Sequence, residues 1–172
     1  MEDYPPGGRS KAEHTRYDYL AKEGINATIS GSKEHTTLFL DIIKADLRFS
    51  DLQARKSFSA RKTFYRLKIF LRDEIVTLGD DTINPNKDVG KYIEPDAWNQ
   101  LIDDPEVLLV DTRNDYAVAI GTFAGAVNPE TKTFRQWDEY VKENLDHKKH
   151  KKVAMFCTGG IRCEKASAHL LH

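Results

Sequence analysis

Cys157 and Cys163 lie in the stretch CTGGIRC, close to the end of the sequence. Apolar residues precede the first cysteine and an alanine-rich helical pattern follows the second, which predicts a loop between a strand and a helix. Gly159 and Gly160 allow several backbone N–H groups to turn toward one point at the helix N-terminus, where an anion is favoured. Such donors lower a thiol pKa from about 8.5 to roughly 3.5–7.5. We therefore predict that Cys157 is a reactive thiolate.

Further residues of this stretch extend the candidate site. A cysteine that ends a buried strand is commonly a small apolar core residue, but a Gly-Gly-Arg sequence has little packing purpose and favours reactivity. Arg162 is expected to add positive charge near the sulfur. Two interpretations of Cys163 stay open, because it can resolve an oxidised Cys157 as a disulfide or pack in the first helical turn. The predicted loop consists of Thr158, Gly159, Gly160, Ile161 and Arg162.

Asp111 and Arg113 form a second candidate group at the end of the apolar run EVLLVD. Continuous apolar runs that alternate with helical patterns indicate a parallel sheet buried on both faces. In such sheets ligands bind where strands end and helices begin. Asp111 and Cys157 each stand at the end of a predicted strand, so an acid, a cation and a thiolate are the chemistry that this part of the sequence offers.

Composition limits the classes of protein to consider. The chain has 172 residues, of which 40% are hydrophobic and 31% charged, which is typical of one globular domain or two small ones. A formal net charge of -1 argues against wholesale coating of nucleic acid. We find no apolar window long enough for a membrane span and no secretory signal, so a cytoplasmic protein with free thiols is expected. The histidines show no ligand spacing, and no metal site is predicted.

The N-terminal half predicts a small α+β sheet. A strand is expected at residues 25–30, a helix after the N-cap Ser32, and a long strand within residues 62–78. One face of that long strand is apolar and would be covered, whereas the other is cationic and would be open. The open face is a candidate for RNA phosphates, with aromatic side chains to stack on bases. Its cationic residues are Lys62, Arg66, Lys68 and Arg72.

The pattern changes after a turn-rich connector at residues 79–92. Pro95 lies just inside a predicted helix, and a second helix carries Trp137 and Tyr140 at helical spacing. We predict a polar leader at residues 1–19, an α+β domain at residues 20–88 and a parallel α/β domain at residues 89–172.

Two motifs give a specific resemblance to a known family. The Cys-x-x-x-x-Arg loop resembles the active-site loop of rhodanese domains, and LLVDTRNDYAVAIGTFAGAVNP resembles their Asp-x-Arg strand end with its short helix and Gly-Ala step. The full CTGGIRCEKASA, together with EGINATISG, RLKIFLRDEIVTLG and VGKYIEPDAWNQLI, is similar to the rhodanese-containing tRNA uridine hydroxylases.

This resemblance implies a ferredoxin-like N-terminal domain followed by a rhodanese-like domain. It implies an oxygen-dependent hydroxylation at C5 of the wobble uridine, with the anticodon region of tRNA as partner and no identifiable cofactor. Cys157 matches the catalytic cysteine of the family, and in rhodanese-like folds Asp111 and Arg113 would tie the strand end to the following helix. Because residues 1–19 replace an apolar strand and helix, and the sequence ends one helix after the loop, we expect both domains to be incomplete.

Other functions suit the same residues. A rhodanese-type sulfurtransferase would use the same loop to hold a persulfide on Cys157, and a rhodanese-like interaction module would use no chemistry at all. A cysteine phosphatase is disfavoured, because the four residues between Cys157 and Arg162 make a loop too short for a tetrahedral phosphate.

Overall fold

A computed structural model describes residues 15–60, 63–64, 66–146 and 148–172. The chain divides into two units, the first ending at Leu71 and the second comprising residues 21–24 and 72–172. The division therefore falls earlier than the boundary predicted between residues 88 and 89. The physical reason is that Leu78 and Ile83, in or beside the predicted connector, are buried in the core of the second unit.

A three-stranded sheet forms the first unit together with one helix. Strands β1 (Thr15–Ala21), β2 (Gly24–Asn26) and β3 (Arg66–Leu71) lie in the order β2-β1-β3. Strands β1 and β3 are parallel, with Thr15 opposite Arg66 and Leu20 opposite Leu71. Helix α1 (Lys33–Lys44) begins after Ser32, whose hydroxyl accepts the His35 N–H at 3.3 Å, as the N-cap prediction requires.

Strand positions in this unit differ from the predictions at its N-terminal side. Strand β1 begins at Thr15, inside the segment predicted to be a polar leader. Conversely, β2 ends at Asn26, although a strand was expected to continue to residue 30. The buried Asp18 carboxylate accepts the backbone N–H of Thr28 at 2.9 Å, which occupies a donor that a longer ladder would use.

The long strand expected within residues 62–78 is reduced to β3. Beyond Leu71 the chain turns, because the carboxylate of Glu74 accepts the backbone N–H groups of Leu78 at 3.0 Å and Gly79 at 2.9 Å. The apolar face of this strand was predicted to be covered, and this was wrong for Ile69 and Leu71. Their exposed fractions are 57% and 84%.

The second unit follows the predicted alternation of strands and helices. Strands β4 (Val107–Asp111) and β5 (Lys152–Phe156) are parallel, with Asp111 opposite Phe156. The expected helix after Pro95 and the helix at Trp137 are both present. The helices are α2 (Pro95–Ile102), α3 (Asp115–Val118), α4 (Trp137–Asn144) and α5 (Ile161–Leu171).

Trp137 lies at the centre of the core of this unit, with 1% of its surface exposed. Its ring stacks on Phe134 at a centroid distance of 6.2 Å, and Val110 of β4 and Ala166 of α5 are fully buried in the same cluster. Small residues on α5 therefore let this helix pack closely on the core. No helix in the described part of the chain is long and apolar enough to cross a membrane.

A buried ion cluster fixes α5 in place. Lys165 is 2% exposed, and its Nζ lies 2.6 Å from the carboxylate of Glu23 and 3.0 Å from that of Glu74. The same nitrogen donates to the carbonyl oxygen of Ile83 at 3.2 Å. Buried charges are tolerated when paired and hydrogen-bonded in this way. Residues 23, 74 and 83 are thereby joined to the helix that follows the cysteine loop.

We predict that Lys165→Met destabilises the protein by about 3–5 kcal/mol, because two largely buried carboxylates lose their cation. Urea unfolding followed by circular dichroism measures the change. Lys142→Met is the matched control, since Lys142 pairs with Asp138 at the exposed surface and its loss should change the midpoint little. Equal losses of stability in the two variants would contradict the role of Lys165 as the cation that the buried Glu23 and Glu74 carboxylates require.

Candidate active site

The cysteine loop connects β5 to α5 at the carboxyl end of the small parallel sheet. Strand β5 ends at Phe156 and the helix begins at Ile161, so the loop proper is Cys157, Thr158, Gly159 and Gly160. Ile161 and Arg162, predicted as loop residues, lie in the first helical turn instead. Gly160 has φ 88°, a conformation that side-chain-bearing residues rarely adopt, so a glycine is required at this position.

Backbone amides converge on the sulfur of Cys157. The Gly160 N–H donates to Sγ at 3.0 Å, and the amides of Gly159, Arg162 and Cys163 also hydrogen-bond to this atom. The side-chain thiol of Cys163 is the strongest of the stabilising groups, followed by these amides, and burial opposes them. Their combined effect lowers the pKa of Cys157 to about 5, so this thiol is ionised at neutral pH.

The pKa of Cys163 is shifted in the opposite direction to that of Cys157. Its thiol donates to Cys157, and this hydrogen bond, with burial and the neighbouring negative charge, raises the pKa of Cys163. Thr112 Oγ1 lies 3.5 Å from the Cys163 sulfur and donates to the carbonyl oxygen of Phe156 at 3.0 Å. Cys163 lies in the first turn of α5 and contributes to lowering the pKa of Cys157. Both roles predicted for it, resolving an oxidised Cys157 and packing in this turn, stay predictions. Thr112 was missed from the sequence, although it stands between Asp111 and Arg113.

Asp111 and Arg113 form a buried ion pair at the end of β4. The Asp111 side chain is fully buried, and its two oxygens accept from Arg113 Nε at 2.9 Å and Nη2 at 2.6 Å. Thr122 donates to the same carboxylate at 2.8 Å, and Arg113 Nη2 donates to the carbonyl oxygen of Gly121 at 2.6 Å. Burial alone would raise the pKa of Asp111, but these hydrogen bonds hold it below its ordinary value.

This pair ties the strand end to the segment after α3, a structural role close to the one that the resemblance implied. Arg113 is also the guanidinium whose charge interacts with the Cys157 thiolate, and the thiolate contributes to raising the Arg113 pKa after the Asp111 hydrogen bonds. The backbone N–H of Arg162 contributes to lowering the pKa of Cys157. That the Arg162 side chain adds positive charge near the sulfur stays a prediction.

Aromatic rings lie next to the loop. Phe156 directly precedes Cys157, and its ring packs edge-on against Phe123 at a centroid distance of 4.8 Å and against Trp98 at 6.3 Å. The Arg113 guanidinium lies 5.6 Å above the Phe156 ring. Phe123 is 44% exposed, so an apolar surface is open to solvent beside the thiolate. Among the described residues, no group of three or more potential metal ligands occurs.

The residues predicted to bind RNA are only partly described. Arg66 and Lys68 belong to β3, two positions apart, and Arg72 follows the end of that strand. Lys68 and Arg72 are exposed, and Lys62 lies outside the described residues. Their role in RNA binding stays a prediction.

Comparisons with known proteins agree with this architecture. Residues 18–75 match the UPF0176 acylphosphatase like domain, and residues 94–172 match the rhodanese-like domain. A protein from Synechocystis sp. named tRNA uridine(34) hydroxylase is 57% identical over 152 residues, which are 88% of this chain and 55% of that protein. The chain belongs to the same family as this hydroxylase. It spans about half of this relative's length.

Membership in this family confirms the resemblance inferred from CTGGIRCEKASA and its companion motifs. The two matched domains confirm the predicted fold class, a mixed α+β and α/β chain with a rhodanese-like second part. The roles of the individual site residues are a separate question, and they rest on the geometry given above.

The pKa of about 5 predicts how Cys157 reacts with iodoacetamide as pH changes. The alkylation rate should be near its plateau at pH 7, fall by half near pH 5 and vanish below it, because the thiolate becomes protonated there. Peptide mass spectrometry separates Cys157 from Cys163, which should resist alkylation at neutral pH. Cys163→Ala should move the midpoint upward and Cys163→Ser should largely preserve it, since only serine keeps a donor. A midpoint near 8.5 in the unmodified protein would contradict the stabilisation of the Cys157 thiolate by the surrounding hydrogen-bond donors.

We predict that Arg113→Met lowers the free energy of unfolding by about 3 kcal/mol, since it leaves the buried Asp111 carboxylate without its cation. Arg113→Lys should lose less, because an ammonium keeps the charge but cannot form the bidentate contact. Urea unfolding at pH 7 measures the free energy of unfolding of the unmodified protein and of the two variants. A lysine variant as unstable as the methionine variant would show that charge plays little part.

Proposed function

We propose that this chain is the part of a tRNA uridine hydroxylase that carries the reactive cysteine, and that it acts on C5 of the wobble uridine in an oxygen-dependent reaction. The observation that carries the proposal is the Cys157 sulfur, held as a thiolate by the amides at the start of α5. The name of the 57% identical relative supports the choice of reaction and of tRNA as substrate. Two free thiols favour the cytoplasm, where we place the activity.

A thiolate has a specific use in pyrimidine chemistry. C6 of the uracil ring is conjugated to the C4 carbonyl, so a sulfur nucleophile can add there and leave C5 electron-rich. C5 is the position that must take oxygen in this reaction. We assign that addition to Cys157, and dioxygen is our proposed oxygen donor.

Surrounding residues have consistent roles in this proposal. The exposed ring of Phe123 and the apolar surface around Phe156 offer a face for an unpaired base next to the sulfur. Lys68 and Arg72 are exposed cations that we retain as candidate contacts for phosphates of the anticodon region. The Asp111–Arg113 pair acts as a support for the strand end rather than as a group that touches the substrate.

The rhodanese-like match over residues 94–172 favours a second function, sulfur transfer through a Cys157 persulfide. The same amides would stabilise a persulfide anion, since its terminal sulfur also carries negative charge. This alternative differs in its product, because sulfur transfer moves sulfane sulfur to an acceptor and leaves the uridine C5–H bond intact.

Deletion of the gene that encodes this protein should remove 5-hydroxyuridine and its derivatives from the wobble position of tRNA. The gene supplied on a plasmid should restore them, and a Cys157→Ala form should fail, because no thiolate remains to activate the ring. Mass spectrometry of tRNA nucleosides measures both results. Unchanged nucleosides in the deletion strain, with rapid Cys157-dependent thiocyanate formation from thiosulfate and cyanide, would favour sulfur transfer instead.

A further inference from the structure

Three large apolar side chains are exposed on α3 and on the loop that follows it. The exposed fractions are 68% for Tyr116, 86% for Ile120 and 44% for Phe123. Residues 117–126 contain no charged residue, although 31% of the whole chain is charged. An exposed cluster of this kind marks a binding surface more often than a solvated loop. We call these three side chains the apolar loop; the proposed function so far gives Tyr116 and Ile120 no role.

The backbone of the apolar loop is held in place by the ion pair at the end of β4. Arg113 donates to the carbonyl oxygen of Gly121 at 2.6 Å, and Asp111 accepts from the Thr122 hydroxyl at 2.8 Å. After the loop, the Val127 N–H donates to a carbonyl oxygen of β4 at 2.8 Å. The chain is thus fastened to the sheet within the loop and beyond it, so the exposed side chains are carried on a fixed backbone.

The apolar loop is continuous with the surface beside the thiolate. The Phe123 ring packs edge-on against the ring of Phe156 at a centroid distance of 4.8 Å, and Phe156 directly precedes Cys157. The Arg113 guanidinium lies 5.6 Å above the same Phe156 ring. A strand of nucleotides that places one base at the sulfur therefore borders the apolar loop with its neighbouring bases.

An unpaired cation stands at the other side of α3. The backbone N–H of Asp115, the first residue of α3, donates to the carbonyl oxygen of Thr131 at 3.2 Å, which places Lys132 next to this helix. Lys132 is exposed and forms no ion pair with any residue in the described part of the chain. Aromatic rings with a cation nearby are the combination that holds single-stranded nucleic acid, because rings stack on bases and the cation binds a phosphate.

We propose that the apolar loop and Lys132 bind the unpaired nucleotides on either side of the uridine at Cys157. The inference rests on the proposed function, which makes the single-stranded anticodon loop of tRNA the occupant. It also gives the Asp111–Arg113 pair a consequence beyond the strand end, because the pair positions the loop that receives the RNA.

The first experiment measures the affinity of the protein for a fluorescent anticodon stem-loop RNA by anisotropy. Tyr116→Ala should weaken binding about fivefold or more, because a base loses its stacking partner, whereas Tyr116→Phe keeps the ring and should bind like the unmodified protein. Ile120→Ser should weaken binding about threefold or more. Leu171→Ser is the matched control, since Leu171 is also exposed, at 60%, but ends α5 on the side away from the cysteine loop.

The dependence on salt separates base contacts from phosphate contacts. Between about 50 and 200 mM KCl, Lys132→Gln should reduce the slope of log affinity against log salt by about 0.7, as expected for the loss of one phosphate of a single strand. Tyr116→Ala should leave the slope unchanged, because stacking releases no counterion. An unchanged slope for Lys132→Gln would overturn the phosphate contact.

A second experiment maps the contact directly. Stem-loop RNA with 5-iodouridine on one side or the other of the wobble nucleotide is irradiated with the protein, and crosslinked peptides are identified by mass spectrometry. We expect crosslinks to Tyr116 or Phe123. Crosslinks confined to residues 15–71, where the cations of β3 lie, would overturn the proposal.

The outcomes separate this inference from the proposed function. Affinity that is the same in Tyr116→Ala, Ile120→Ser and the unmodified protein would overturn the inference, and so would a lack of binding by the unmodified protein. Loss of 5-hydroxyuridine in the deletion strain would then still support the hydroxylase. A dimer that Ile120→Ser abolishes, with RNA affinity unchanged, would make the apolar loop an interface between copies and overturn the inference. Unchanged tRNA nucleosides in that strain, with RNA affinity dependent on the loop, would contradict only the hydroxylase.

Discussion

Hydrogen bonding to one sulfur atom is the constraint on which the rest of the site depends. The Cys157 thiolate requires amides that point inward from Gly159, Gly160 and the first turn of α5, and these can converge only if Gly160 adopts its positive φ. The helix must also begin immediately after the loop, so that Arg162 and Cys163 offer backbone N–H groups that have no intrahelical partner. The chemistry is thus built from the unsatisfied donors of a helix terminus, with the Cys163 thiol as the strongest single contribution.

The surrounding fold holds those donors still by two buried ionic contacts. The Asp111–Arg113 pair closes the end of β4, which lies beside β5 and the residue before the cysteine. Lys165, one turn into α5, is held by Glu23 and Glu74 from two distant segments. The Lys165 contacts join segments far apart in sequence to the helix that follows the loop, whereas Asp111 and Arg113 are two positions apart and hold the strand end to Gly121 and Thr122. Buried ion pairs give uncertain net stability, but they specify one arrangement, since any other leaves a charge unpaired.

Much of the fold and of the cysteine site could be predicted from the sequence, because both depend on local sequence patterns. The strand, loop and helix around Cys157 follow from apolar runs and glycines, and the lowered pKa follows from the helix terminus. The strand ends and the boundary between the two units depend on contacts between remote residues, so they could not be predicted in this way. The Glu74 carboxylate accepts an amide beyond the end of β3, and the Asp18 carboxylate accepts one beyond the end of β2. Leu78 and Ile83 pack in the core of the second unit. No periodicity encodes such contacts, and the exposed Ile69 and Leu71 show that an alternating pattern alone does not establish burial.

The two cysteines are best understood as sharing one proton. The hydrogen bond between the sulfurs lowers the pKa of Cys157 and raises that of Cys163, so the pair holds one thiolate and one thiol at neutral pH. The amides decide which sulfur carries the charge, because they point at Cys157. A site built in this way keeps a nucleophile and a protonated partner in contact without repulsion between two thiolates. If Cys157 becomes bonded to a ring carbon, it no longer accepts the Cys163 proton as an anion, and the main cause of the raised Cys163 pKa is removed. The second thiol would then become easier to ionise while the first is occupied.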